Sequence, residues 1–188
     1  MFPGVPKGAK EPIMALTKYD FDPTHSSVAF VARHLMFTKV RGQFAKWGGS
    51  LELDLEDLTK SKVSVEIDVA RIDTNEEKRD GHLRSGDFFD VEKFPTMTFA
   101  SKRIEKSGDH YKLIGDLTIK GTTREVSLDT TFEGTQKDPW GGDRVAFSAA
   151  TKVLRKDWGL NWNVALEAGG VLVGDQIEIV LDIQAKKA

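Results

Sequence analysis

The sequence predicts an all-β protein, either a closed antiparallel barrel or a sandwich around an apolar interior. Three observations point there. Val63, Val65, Ile67 and Val69 alternate with Ser64, Glu66 and Asp68. Ile177, Ile179, Leu181 and Ile183 repeat that period near the C-terminus. Ser107-Gly108-Asp109, Lys120-Gly121 and Trp140-Gly141-Gly142 then punctuate further runs of the same kind as turns. Successive strand residues point to opposite faces, so each run offers one apolar and one polar face. Many such faces in one chain are buried by closing a barrel or stacking two sheets. A barrel of about eight strands either fills with its own side chains or holds one small ligand.

Residues 1–14 are rich in Gly, Pro and Lys and carry no period. They read as a disordered tail, with Met14 as a natural start or a cloning remnant as its source. Residues 15–188 read as a single domain. The first strand covers Leu16–Phe21, and Asp22-Pro23-Thr24 turns it into a second over Ser27–Arg33. Leu51, Leu53 and Leu55 alternate with Glu52 and Asp54 after a Gly48–Gly49 pair, and Val63–Val69 follows a Lys-rich turn. The period then changes. Thr74 or Asn75 caps a short helix whose first turn holds Glu76 and Glu77 and which runs to about Arg84. This helical insertion around residues 75–90, with Phe88, Phe89 and Phe94 close behind, reads as a lid or plug over one barrel mouth. Strands resume over Met97–Ile104, Tyr111–Ile119, Arg124–Phe132, Val145–Leu154 and Gln176–Gln184. The Gly/Trp-rich stretch from Trp158 to Gly170 is a long connection with its own packing.

Composition narrows the function. The chain has 188 residues, 39% hydrophobic and 30% charged, with a net charge of −2. That balance gives no global field to grip a polyanion, and no basic stripe marks a nucleic-acid surface. The absence of cysteine excludes disulfides, thiolate metal sites and thiol nucleophiles. No apolar run approaches the ~18 residues of a membrane span, and the N-terminus lacks the apolar core of a secretory signal. As written, the chain reads as cytoplasmic; a trimmed leader would make it periplasmic.

Parity assigns an inward face. Val28, Phe30 and Ala32 share it with His34, and Met97 and Phe99 with Ser101. Leu117 and Ile119 share it with Gly115, and Phe132 with Val126, Leu128 and Thr130. Phe147, Ala149 and Val153 share it with Thr151 and Arg155. A mostly apolar wall with sparse polar groups suits an amphipathic guest. Phe30, Phe99, Leu117, Ile119, Phe132, Phe147 and Ile179 are the candidate tunnel lining. His34, Ser101, Thr151 and Arg155 are candidates for its polar end, and Phe88 and Phe89 for a gate. The opposing reading is that the polar residues sit at strand ends and satisfy backbone groups.

Evidence for catalysis or metal binding is thin. The four histidines, His25, His34, His82 and His110, form no zinc-type pair, and there is no HExxH, GxSxG or nucleotide-binding glycine signature. The densest polar cluster, Arg79-Asp80-Gly81-His82-Leu83-Arg84, reads either as an acid–base site built on His82 and Asp80 or as an ion-paired helix face pinned to the rim.

Several segments in order resemble the YceI-like family. They are Asp22-Pro23-Thr24-His25-Ser26-Ser27, Arg33-His34, Val40-Arg41-Gly42-Gln43-Phe44, and Arg79 to Arg84 running into Asp87-Phe88-Phe89-Asp90 and on to Pro95. Gly115-Asp116-Leu117-Thr118-Ile119-Lys120-Gly121 and Arg155-Lys156-Asp157-Trp158-Gly159 complete the match. The resemblance implies a lipocalin-like antiparallel β-barrel of about eight strands with a helical insertion. It further implies a bound long-chain amphiphile, a polyisoprenoid, isoprenoid quinone or fatty-acid derivative, with no other cofactor, and it hints at a homodimer. The expected function is therefore non-catalytic binding, transport or storage of such a lipid. An enzyme acting on an isoprenoid or lipid, and a ligand-free interaction module with a filled barrel, are the alternatives.

Overall fold

The computed structural model describes residues 15–188, so the tail expected over residues 1–14 lies outside the described residues. The strands are β1 (Thr17–Phe21), β2 (Ser27–His34), β3 (Thr38–Phe44), β4 (Trp47–Leu53), β5 (Lys62–Asp68) and β6 (Ile72–Asp73), followed by helix α1 (Glu77–Arg84). After it come β7 (Thr96–Ser107), β8 (His110–Ile119), β9 (Thr122–Lys137), β10 (Asp143–Leu154) and β11 (Gln176–Lys187). Every named strand pairing is antiparallel, and the order β1-β4-β5-β7-β8-β9-β10-β11 returns to β1, which closes an eight-stranded barrel. The remaining strands lengthen three of its staves. β2 carries on along β11 where β1 stops, β3 pairs with β2, and β6 pairs with β3.

Two of the broken staves have a local cause. Pro23 has no N–H to give a ladder, and the break between β1 and β2 falls there as one 3-10 turn. Asp68 accepts from Ala70 N at 3.1 Å and starts another such turn between β5 and β6. β6 ends its branch of the sheet, and the segment from Thr74 to Pro95, carrying α1, crosses from it to β7.

The helix starts later than the sequence reading placed it, and neither Thr74 nor Asn75 is its cap. Glu76 is, its carboxylate accepting from Lys78 N and Arg79 N. Thr74 has been drawn into the interior instead. It is buried, and both its N and its Oγ1 donate to Asp80 Oδ1. Arg79 donates to Thr74 Oγ1 and Thr74 O, both at 2.7 Å, and Arg84 Nε donates to Ala70 O at 3.0 Å. Eight residues are too few to hold a helix in water. These bonds, with Leu83 against the core, hold α1 on the barrel.

β3 was not anticipated either. Its inward residues are Val40, Gly42 and Phe44, so a glycine interrupts the apolar alternation. Apolar side chains gather in two clusters. One, around Phe44, Ile72, Phe88, Leu117 and Trp158, lies at the insertion end, and the other, around Tyr19, Leu51, Leu58 and Val145, lies at the opposite end.

That opposite end is tied by one carboxylate. Asp22 Oδ1 accepts from Thr24 N at 3.2 Å and Thr24 Oγ1 at 2.6 Å. Its Oδ2 bonds His25 Nδ1 at 2.8 Å and Arg144 Nη1 at 2.6 Å. Arg144 in turn donates to Asp138 Oδ2 at 2.9 Å, joining the β1–β2 bend to the β9–β10 turn. The Thr24 hydroxyl above all, with His25 and Arg144, holds the Asp22 carboxyl well below the ordinary carboxylate range, against the opposing effect of burial. A pKa depressed on folding stabilises the fold above the unfolded value, about 3.9, and that contribution fades as pH falls toward the folded one. Asp22→Asn is therefore expected to cost about 1.5–3 kcal/mol at neutral pH. Urea unfolding at pH 7 and pH 2.5 checks this: the gap between variant and wild type should narrow in acid, and a gap of constant size would refute the linkage.

Candidate functional site

The lumen between the two clusters is not filled. It encloses a cavity of about 300 Å³ whose wall draws on every strand except β6. Ligand sites commonly span about 300–1,000 Å³. Phe30, Val65, Phe99, Leu117, Phe147 and Ile179 typify the wall, and its polar members are confined to Ser61, Lys62, Tyr111, Thr130 and Arg155. Trp158, Leu160 and Val173 close it toward the insertion end, and Leu58 with Ser61 toward the other.

Two glycines keep this space open. Phe30 pairs across the β2–β3 ladder with Gly42, and a Cβ on Gly42 would fall 2.3 Å from the tip of the Phe30 ring. On the facing wall a Cβ on Gly115 would fall 2.5 Å from Phe99 Cζ. Each ring lies flat over a position that has no side chain, instead of standing into the lumen. The interrupted alternation of β3 thus has a purpose, since an aromatic from the neighbouring strand covers the vacant site.

The aromatics of the insertion sit at the cavity rim. Phe88 and Phe89 both line the wall. Phe88 is buried beneath His82 and Trp162, with ring centroids 5.1 and 5.4 Å away, and Phe89 meets Phe44 edge-on at 6.1 Å.

The structure gathers Phe30, Phe88, Phe89, Phe99, Leu117, Ile119, Phe147, Arg155 and Ile179 on the cavity wall. It does not bring His34, Ser101, Phe132 or Thr151 there. His34 ends β2 and bridges to Val173 at the rim. Ser101 precedes a bulge in β7, and its Oγ accepts from Val63 N at 3.0 Å, completing the edge of the β5 ladder. Phe132 stands beside the bulge between Ala146 and Phe147 and stacks on Phe147 at 5.2 Å in the lower cluster. Thr151 faces Ile179 across the ladder, half-buried. Alternation assigns a side chain to a face but not to a partner or a depth, and the bulges follow Ser101 and Phe132 without changing the face of either.

Arg155 reaches the wall, but its charge serves the backbone. It is 3% exposed and donates to the carbonyls of Gly174 at 3.0 Å, Leu160 at 2.6 Å and Trp162 at 2.9 Å, with Asp175 Oδ1 3.3 Å away. Burial pulls its guanidinium below the ordinary value, against the pull of Asp175. One planar fork thereby folds the whole connection from residue 159 to 175 over the rim. Beside it Trp158 Nε1 donates to Leu117 O at 3.0 Å, an anchor in keeping with its sequence.

The acid–base pair considered for His82 and Asp80 does not exist. His82 Nε2 bonds Asp87 Oδ2 at 2.8 Å, whereas Asp80 is buried on Thr74. Among the described residues no group of His, Asp or Glu is placed to hold a metal ion. No helix among them is long and apolar enough to cross a membrane. Sequence reasoning missed Leu58, Ser61, Leu160 and Val173 on the wall, all from connections without period.

A family profile described as a YceI-like domain matches residues 19–185. A UPF0312 protein of Staphylococcus epidermidis is 41% identical over 164 residues, which cover 87% of this chain and 94% of that protein. The crystal structure of Burkholderia cenocepacia BcnA superposes with a TM-score of 0.76 at 23% identity, covering 88% of this chain and 99% of that one. A polyisoprenoid binding domain from Saccharophagus degradans superposes with a TM-score of 0.66 at 13% identity, covering 92% and 99%.

Two substitutions check the site. Gly42→Ala is expected to drive the Phe30 ring into the lumen, and a crystal structure of the variant with the ring unmoved would contradict this. Arg155→Met strands the carbonyls it serves and is expected to cost about 3–5 kcal/mol by chemical denaturation.

Proposed function

The chain belongs to the YceI-like domain family, and on that premise we propose that its barrel binds one long apolar chain bearing a small polar head, without chemistry. The observation that carries this is the open lumen, a nearly wholly apolar cavity inside a closed barrel. Each buried methylene contributes about 0.8 kcal/mol, so a polyprenyl or acyl chain needs few polar contacts for tight binding. The Saccharophagus degradans domain, described as polyisoprenoid binding, supports the choice of ligand class. A barrel filled by its own side chains does not fit the cavity.

The head would be met away from the residues first considered, because Ser101 and Arg155 spend their polar atoms on the backbone. Tyr111 and Lys62 line the wall with no side-chain partner among the described residues, whereas Thr130 Oγ1 and Ser61 Oγ, also on the wall, are engaged by Leu128 O at 3.1 Å and Asp54 N at 3.0 Å. Tyr111 and Lys62 suit a hydroxyl or quinone carbonyl, and the tail would then run up the lumen toward Trp158 and Val173.

Native mass spectrometry of the purified protein, followed by organic extraction, tests the proposal. The expected result is a discrete mass excess that resolves to a polyprenyl, quinone or acyl species. Phe99→Trp and Leu117→Trp should each abolish it at a stability cost of about 1–3 kcal/mol. An unchanged lipid load in both variants would sink the lumen as the binding site.

A further inference from the structure

The β2–β3 turn carries Leu35, Met36 and Phe37, which are 40%, 52% and 81% exposed. Leu35 and Met36 both have left-handed backbone, with φ of 52° and 68°, and Phe37 N donates to His34 O at 3.1 Å. Such a turn favours Asn-Gly, and two bulky apolar residues there carry backbone strain with little internal burial in return. Val164, 47% exposed, adjoins them through Leu172, whose carbonyl accepts from Leu35 N and whose N donates to Val164 O.

A second, independent feature surrounds this tip. Arg33 and Lys39 stand directly opposite each other in the ladder, and Arg41 follows on the same face. Like charges so placed repel. None of the three makes an ion pair among the described residues. Glu178, the carboxylate nearest along that face of β11, has Lys152 directly opposite it. An apolar wedge with a basic collar is complementary to anionic headgroups over an acyl interior.

We propose that the β2–β3 tip docks on an anionic lipid surface, with Leu35, Met36 and Phe37 in the headgroup–acyl boundary and Arg33, Lys39 and Arg41 on the phosphates. His34 at the base of the tip bridges to Val173, which lines the lumen, so docking sets the rim of the cavity on the bilayer. Docking itself is independent of cargo; its use for loading or unloading rests on the lipid-binding reading.

Flotation of the full chain with vesicles tests this. Binding is expected to vesicles of equal phosphatidylcholine and phosphatidylglycerol, weaker in high salt and weaker still to phosphatidylcholine alone. The triple variant Leu35→Asn/Met36→Gly/Phe37→Ser installs the residues this turn prefers, so it should melt no lower than wild type while binding at least about tenfold less. Lys39→Glu should weaken binding without touching the wedge. Wild-type binding by the triple variant would overturn the proposal. So would the absence of vesicle binding combined with self-association that the triple variant abolishes, since the tip would then belong to a second copy. Tip-dependent flotation by protein that carries no lipid would uphold docking while refuting the cargo reading, and the converse result would do the reverse.

Discussion

Closure of the sheet between β11 and β1 is the constraint on which everything else rests. Once Tyr19, Asp20 and Phe21 pair with Lys187, Lys186 and Ala185, the barrel circumference is set by backbone hydrogen bonds and no longer by side-chain volume. Side chains must then fill whatever width the backbone leaves. Here they fall short of it, because Phe30 and Phe99 lie against Gly42 and Gly115 along the wall. The cavity is thus a consequence of two glycines lying beneath two aromatic rings, Gly42 directly across the ladder from Phe30 and Gly115 diagonally from Phe99.

Polar side chains inside this protein do the work of fasteners. Asp80 and Arg79 hold Thr74, Arg155 gathers the carbonyls of the long connection, and Trp158 hangs from Leu117 O. None of the buried polar side-chain atoms among the described residues lacks a partner. A buried polar group left unpaired is costly, so groups already paired are poor ligands for anything else. The lumen is left with almost no unspent polarity, and burial of an apolar guest becomes the interaction it can offer.

The two barrel ends are built differently. At one, Asp22 and Arg144 lock the first bend to the β9–β10 turn, and Leu58 plugs the interior. The other carries the insertion, the Arg155-centred connection and an apolar tip on strained backbone. Leu35, Met36, Phe37, Leu154 and Val164 are exposed at this end, Leu35 and Met36 on left-handed backbone, whereas Trp140 and Leu55 are the large apolar side chains exposed at the other.

The sequence by itself determined the fold class and most of the wall. Period-2 alternation is a local property, and it places Phe99, Leu117, Ile119, Phe147 and Ile179 inside with no knowledge of what they face. The helical insertion was legible for the same reason, as a break in that period. Tertiary structure decided the rest. Ser101 and Phe132 keep the inward parity of their strands, because the bulges come just after them, yet Ser101 is spent on Val63 N and Phe132 on the Phe147 ring. Gly42 hid β3 because its missing side chain is supplied from another strand. Thr74, Asp80, His82 and Arg155 have roles set by partners brought to them only by folding. Whether a barrel is hollow depends on how far opposing side chains reach across it, and no single strand contains that distance.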